Sequence, residues 1–116
     1  MRPKTRSTTT SNSVFGKIFI CQFPFTSGAF SKPRPVLVLF DCGVDVVICR
    51  LTSVPHTGVA DVLLQDWTQA GLLKPSVARL DKLVTAEKAI LGRRMGSLTA
   101  TDTAAIRTAW NQHMKL

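Results

Sequence analysis

Arginine, threonine and aspartate residues stand near the ends of short β-forming runs, where their side chains could act on a bound anion. In SVARLDKL, Arg79 and Asp81 are two residues apart, and in VVICRLTS the same spacing separates Arg50 from Thr52. Side chains two apart on a strand point to the same face of a sheet. Cleavage of RNA without a metal requires a base for the 2′-hydroxyl proton, a cation for the phosphorane and a donor for the leaving 5′-oxygen. Aspartate, arginine and threonine can supply these functions, although an Arg–Asp pair at this spacing is also typical of a surface ion pair.

A further arginine, Arg34, lies between two prolines in the segment SKPRPVLVLF. Each proline fixes its own φ and pushes the preceding residue toward extended geometry. Arg34 is therefore held extended at the start of an apolar β-forming run. A cation in this position either keeps a sheet edge soluble or binds an anion.

The composition indicates one globular, basic domain. A chain of 116 residues can build a modest core, and its 45% hydrophobic content is typical of globular rather than disordered proteins. Lys and Arg outnumber Asp and Glu by 15 to 7, which gives a net charge of +8. Such an excess favours polyanionic partners, including nucleic acid, and says nothing about the fold.

The sequence contains no pattern for a metal, a cofactor or a membrane span. Cys21, Cys42 and Cys49 lack C-x-x-C spacing, so we expect buried free thiols, no zinc site and a reducing, cytoplasmic location. No P-loop or GxGxxG is present, and GRRMG, residues 92–96, is only a weak candidate for a phosphate loop. No apolar stretch approaches the about 18 residues that a membrane span needs, and the N-terminus lacks the apolar core of a signal peptide.

Short β-forming runs separated by turns follow a leader rich in Ser, Thr and Asn, residues 1–13, which we expect to be a flexible tail. We expect residues 14–116 to form the domain, with strands at 16–23, 35–40, 46–53, 60–65 and 76–83. Thr99 and Asp102 form a capping-box signature. The spacing of Ile106, Trp110 and His113 then predicts one packed face of a helix. The whole pattern predicts a mainly β protein, a small barrel with a C-terminal helix.

Several motifs agree in order with one protein family. The segments GKIFICQFPF, SKPRPVLVL, VICRLTS and GLLKPSVARLDKLVTAEKAILGRRMGSLT resemble the MazF/PemK (Kid) toxins of bacterial type II toxin–antitoxin systems. The likeness runs from residue 15 to the C-terminus. Its hallmarks are a glycine that opens the first strand, an Arg-Pro pair that opens the second, a Thr-Ser pair that ends the third and an S-V-x-R-x-D strand. Here these are Gly16, Arg34-Pro35, Thr52-Ser53 and residues 76–81.

The resemblance implies an SH3-like small β-barrel with a C-terminal helix, the fold of the CcdB, MazF and Kid toxins, and a cytoplasmic homodimer. It implies a metal-independent endoribonuclease that cleaves single-stranded RNA, leaves a 2′,3′-cyclic phosphate and a 5′-hydroxyl, and is silenced by a cognate antitoxin protein. Matched by position, Arg34 handles the scissile phosphate and Thr52 helps to stabilise the transition state. Arg79 and Asp81 match the general acid and the general base proposed for the Kid branch.

We expect the RNA-contacting residues around this centre. The Kid branch has a histidine in the loop between the first two strands, whereas the loop TSGAFSKP has none, and His56 in the next loop is the candidate substitute. Phe30, in the loop that lacks the histidine, can stack on a base. The full set of expected RNA-binding residues is Phe30, Lys32, Ser53, His56, Arg93 and Arg94.

Two other functions fit the same residues. One is a non-cleaving SH3-like module that grips nucleic acid through Lys32, Arg34, Arg93 and Arg94, binds with a steep salt dependence and leaves RNA intact. The other is a protein-targeting poison like CcdB acting on DNA gyrase, which ranks last because that branch lacks the Arg-Pro and Thr-Ser pairs. Arg93 and Arg94 are also typical of a solvated basic patch.

Overall fold

The computed structural model describes residues 14–22 and 32–116. The leader expected at residues 1–13 lies outside these ranges, as does part of the loop between the first two strands. The described elements, in chain order, are β1 (Lys17–Gln22), β2 (Pro33–Cys42), β3 (Asp45–Thr52), β4 (Asp61–Leu63), β5 (Val77–Glu87), a 3-10 turn (Lys88–Ile90), β6 (Leu91–Ser97) and α1 (Ala100–His113). No helix within the described part of the chain is long and apolar enough to cross a membrane.

The strands form one antiparallel sheet in the order β4-β5-β3-β2-β1-β6. The expected mainly β architecture with a C-terminal helix is therefore confirmed. Across the described ranges no ladder joins the edge strands β4 and β6, so hydrogen bonding does not close the sheet into a complete barrel.

The sixth strand, β6, was not expected from the sequence, because its segment LGRRMGS is poor in β-forming residues. Its two glycines explain the strand. A Cβ added at Gly92 would lie 2.8 Å from the carbonyl oxygen of Ile20, and one added at Gly96 would lie 2.2 Å from that of Ala70. Both glycines therefore allow a close backbone approach. Residues 92–96 belong to an edge strand, and the interpretation as a phosphate loop is wrong.

Two apolar clusters occupy opposite faces of the sheet. Along β2, Val36 and Val38 belong to one cluster, whereas Leu37 and Leu39 belong to the other. Since successive strand side chains point to opposite faces, we call these the Val36 face and the Leu37 face. Ile106 of α1 joins the Leu37 cluster. The helix therefore covers the Leu37 face.

The helix is fixed to the loop after β4 by its own first turn. As expected, Thr99 is the N-cap, and its Oγ1 accepts a hydrogen bond from the backbone N–H of Asp102 at 3.4 Å. The Asp102 carboxylate, however, is fully buried and accepts hydrogen bonds from the backbone N–H groups of Gln65 and Asp66, each at 2.8 Å. Asp102 thus ties the helix to a distant loop. His113 is exposed, so the expectation that it belongs to the packed face of the helix is wrong.

Candidate active site

Four neighbouring strands bring a row of residues together on the Val36 face. In the β4–β5 ladder Asp61 lies opposite Arg79, and in the β3–β5 ladder Arg79 lies opposite Arg50. Arg50 in turn lies opposite Val36 of β2. Residues directly opposite each other in antiparallel strands share a face. The row therefore places a carboxylate and two arginines side by side at one end of the buried Val36 cluster.

Arg34 and Thr52 belong to the next row on the same face. Arg34 is two residues before Val36 on β2, and Thr52 is two residues after Arg50 on β3, so the pleat directs all four side chains to one side. Arg34 is half-buried and lies opposite Cys21 of β1. Thr52 is 8% exposed. The sheet thus brings together three of the four residues to which the resemblance assigns catalysis, namely Arg34, Thr52 and Arg79, and adds Arg50.

Local contacts fix the hydroxyl of Thr52. Its Oγ1 accepts a hydrogen bond from the backbone N–H of Val54 at 3.1 Å, a short-range turn that ends the strand. Because the oxygen is held in this way, the hydroxyl has a defined position beside the arginines. The turn that a Thr-Ser pair predicts at the end of a strand is therefore present, and it orients the same side chain that faces the site.

Arg79 forms a short ion pair with Asp61. The Arg79 Nε donates to Asp61 Oδ1 at 3.1 Å, and the side chains are 19% and 2% exposed, respectively. The second carboxylate oxygen of Asp61 accepts from the backbone N–H of Gly58 at 2.8 Å. Burial raises the pKa of Asp61, but the hydrogen bonds from Arg79 and Gly58, with the charges of Arg79 and His56, outweigh burial and hold it below the ordinary aspartate value. Asp61 is thus an ionised, nearly buried carboxylate.

The spacing of Asp81 and Arg79 predicts that they share one face of the sheet, but Asp81 lies in a bulge of β5. The ladder between β3 and β5 pairs Arg50 with Arg79 and then Cys49 with Leu83, so three residues of β5, including Asp81, bulge out of the pairing. Strand alternation is broken within this bulge, and the two-residue spacing does not by itself put Asp81 on the face of Arg79. Asp81 is exposed, and the ion-pair partner of Arg79 is Asp61.

The expected RNA-binding residues that the structure describes lie in the loops next to the row of arginines and on the distant strand β6. Lys32 is exposed just before β2, and Ser53 and His56 lie in the loop after β3, where Ser53 is exposed and His56 half-buried. Arg93 and Arg94 are exposed on β6. Arg94 lies opposite Phe19 of β1, three strands and therefore about 14 Å from Arg50. Phe30 lies outside the described residues.

Sequence reasoning gave no site role to Arg50 or Asp61. The spacing of Arg50 and Thr52 showed that they could share a face, but only the β3–β5 register reveals that Arg50 faces Arg79. Asp61 follows Arg50 by eleven positions, in a three-residue strand whose register cannot be read from its sequence. Neither residue carries a local motif.

The described residues support neither a metal site nor a cysteine nucleophile. Residues 14–22 and 32–116 contain no group of three or more His, Cys, Asp or Glu side chains that could hold a metal ion. All three cysteines are free thiols, as expected, although Cys42 is exposed rather than buried. Burial raises the pKa of the Cys21 and Cys49 thiols, so neither is suited to act as a thiolate nucleophile.

Comparison with known proteins gives one family and one fold. The family described as "PemK-like, MazF-like toxin of type II toxin-antitoxin system" matches residues 15–114. Among solved structures, the Mycobacterium tuberculosis toxin MazF-mt6 is 27% identical with a TM-score of 0.70, and the match covers 86% of this chain and 97% of that one. None of the curated proteins compared with the sequence matches it.

Two more distant structures share the fold. A mycobacterial endoribonuclease in complex with its cognate antitoxin is 23% identical with a TM-score of 0.70, over 87% of this chain and 93% of that one. MazF from Deinococcus radiodurans is 17% identical with a TM-score of 0.63, over 87% and 94%. These likenesses show that this chain shares its fold with both proteins.

Proposed function

The chain belongs to the PemK-like, MazF-like toxins of type II toxin–antitoxin systems, a family of ribonuclease toxins, and we propose from this membership that it is a sequence-specific endoribonuclease acting on single-stranded RNA. The observation that supports this function best is the cluster of Arg34, Arg50 and Arg79 around Thr52 on one face of the sheet. Half-buried arginines beside a fixed hydroxyl can bind a phosphodiester, because one guanidinium group can donate two parallel hydrogen bonds to two phosphate oxygens.

The proposed reaction is an internal transfer that needs no cofactor. The 2′-oxygen attacks the phosphorus, the 5′-oxygen leaves, and the products are a 2′,3′-cyclic phosphate and a 5′-hydroxyl. Asp81, an exposed carboxylate on β5, accepts the proton of the 2′-hydroxyl. Arg34 and the hydroxyl of Thr52 stabilise the negative charge on the phosphorane.

Arg79 matches the general acid proposed for the family, but its ion pair with Asp61 favours a role in stabilising charge. A guanidinium keeps its proton throughout the accessible pH range. The Nε of Arg79 is already bonded to the carboxylate of Asp61, which leaves its terminal nitrogens as the donors for phosphate. We therefore assign to Arg79 the electrostatic stabilisation of the phosphorane and of the leaving 5′-oxygen, which takes its proton from water.

The remaining partners follow from the same proposal. Single-stranded RNA would run from the arginine cluster along the Val36 face, over the half-buried Phe19, toward Arg94 on β6. Lys32, Ser53 and His56 would contact it near the cleavage point, and Arg93 would contact it on β6. Cleavage of messenger RNA would inhibit translation and growth in the cytoplasm. We also propose a homodimer and a cognate antitoxin, the latter supported by the antitoxin complex of a protein with the same fold.

The decisive experiment incubates a long single-stranded RNA with the purified protein in EDTA. Arg34→Ala is expected to lose about 10²-fold or more in cleavage rate, since it removes charge stabilisation from the transition state. Arg107→Ala is the matched control, because it removes the same charge from α1, beyond the Leu37 face.

The gel distinguishes the three functions. Discrete products with 5′-hydroxyl ends from the wild type and the control, but not from Arg34→Ala, would support the ribonuclease. Intact RNA with a salt-sensitive mobility shift would favour the non-cleaving module. Neither cutting nor shifting would favour a protein target such as gyrase.

A further inference from the structure

Two arginines, Arg50 and Arg79, stand directly opposite each other in the β3–β5 ladder. Opposed residues in an antiparallel pair have Cα atoms only about 4.5–5.5 Å apart, and like charges placed so are destabilising. Both side chains are half-buried, so water screens them incompletely. A contact that fixes the long, flexible side chain of Arg79 would therefore help both arginines to face one anion.

Asp61 makes that contact from the other side of Arg79. It is the ladder partner of Arg79 on β4, so the carboxylate and the guanidinium lie on the same face. The bond reaches Nε of Arg79 at 3.1 Å, while the other carboxylate oxygen is tied to the N–H of Gly58 at 2.8 Å. A carboxylate bonded through both oxygens and 2% exposed has little freedom to rotate. Asp61 is thus a fixed anchor.

Because Asp61 contacts Nε, the hydrogen-bond donors of Arg79 that remain for a ligand are those of its two terminal nitrogens. A guanidinium is planar and carries five N–H donors, of which Nε supplies one. A carboxylate at Nε fixes the rotation of the plane and leaves the edge formed by the two terminal nitrogens for another oxyanion. That edge can pair with phosphate in a two-point contact while Nε stays bonded to Asp61.

We propose that Asp61 is a positioning residue of the nuclease site: it holds the Arg79 guanidinium in place, so that the terminal nitrogens face the scissile phosphate. This inference rests on the proposed function, because it assigns Asp61 a role in that reaction. It makes Asp61 a part of the site that never touches RNA. Its effect on the reaction passes through Arg79 alone.

The test compares the wild type with Asp61→Asn, Arg79→Ala and the double variant in steady-state RNA cleavage at varied RNA concentration. Asp61→Asn keeps the side-chain size and removes the charge. We expect its kcat to fall about tenfold or more with KM within about twofold of wild type, because the misplaced guanidinium is needed chiefly in the transition state. In the Arg79→Ala background the same substitution should change the rate by less than about twofold. A role confined to folding would instead lower the two rates independently.

A second aspartate provides a matched control. Asp41 accepts a hydrogen bond from the Lys88 Nζ at 2.8 Å and another from the N–H of Gly43 at 2.9 Å, the same kinds of partners that Asp61 has. It lies in the β2–β3 hairpin, at the opposite end of these strands from Arg34 and Thr52. Asp41→Asn should cleave RNA at the wild-type rate. This control separates the loss of an ion pair in general from the loss of the Asp61 ion pair.

An NMR measurement reports the contact without any cleavage. The Nε–Hε resonance of Arg79, assigned by its absence in Arg79→Ala, should exchange slowly with water in the wild type and rapidly in Asp61→Asn. An active wild type matched by an equally active Asp61→Asn would overturn the inference and leave the proposed function intact. Additive losses in the double variant would do the same. A folded wild type that cuts no RNA would overturn the proposed function and the inference with it.

Discussion

Removal of the buried carboxylate of Asp102 should lower the free energy of unfolding. Asp102→Ala removes the acceptor of two backbone N–H groups, those of Gln65 and Asp66, both bonded at 2.8 Å. A buried N–H left without a partner costs about 1–3 kcal/mol, so two cost about 2–6 kcal/mol. Gln65 is exposed and Asp66 half-buried, so water can partly replace the acceptor. The expected loss is therefore in the lower half of that range, about 2–4 kcal/mol.

The assay is equilibrium unfolding in urea, followed by circular dichroism. With a slope of roughly 1–2 kcal/mol per M, the midpoint of Asp102→Ala should fall by at least about 1 M. The midpoint of Asp102→Asn should lie between those of this variant and the wild type. An amide keeps one acceptor oxygen but turns an N–H₂ group toward the second backbone donor. The control Thr101→Ala changes an exposed residue of the same helical turn and should stay within about 0.5 kcal/mol of wild type. An Asp102→Ala protein as stable as this control would refute the reasoning.

Three further outcomes are expected. Gly96→Ala should lose about 1–3 kcal/mol in thermal unfolding, since its Cβ would lie 2.2 Å from the carbonyl oxygen of Ala70, and an unchanged melting temperature would contradict that close approach. The lowered pKa of Asp61 makes its stabilising contribution present above the unfolded value of about 3.9 and lost as the pH falls through the folded value. Urea titrations should thus show Asp61→Asn less stable than wild type at neutral pH, with the difference shrinking as the pH falls below the unfolded value and through the folded one. Cys42, which is exposed, should react with a thiol reagent in the native protein, whereas Cys49 should react only after unfolding, because burial raises its pKa and blocks access.

The local elements of the fold could be predicted because their signals are local. The apolar run that contains Val36 and Leu37 gave β2, and the Thr99 cap gave the start of α1. Strand β6 could not be predicted, because Gly96 belongs there for a contact with Ala70 that is distant in sequence. There the tertiary contact overrides β-propensity.

The positions of candidate site residues could be predicted only where a residue type and a strand end sufficed. Arg34 and Thr52 stand at such ends, and the sheet puts both on one face. The pairing of Arg79 with Asp61 depends on the register of β4, and the setting of Asp81 depends on a bulge in β5. Register and bulges come from contacts between strands, so the spacing of residues along one strand could not reveal them.

The pairing of β1 with β6 has a consequence for the newly made chain. β1 leaves the ribosome before the other strands, and its β2 edge can pair early, but its other edge waits for β6, the last strand in the sequence. Pairing between such distant segments is slow, and an open strand edge meanwhile invites association with other chains. A product interrupted before β6 would already contain Arg34, Thr52 and Arg79 but would keep that edge open. Chains that lack β6 are therefore expected to misfold and associate more readily than chains that contain it.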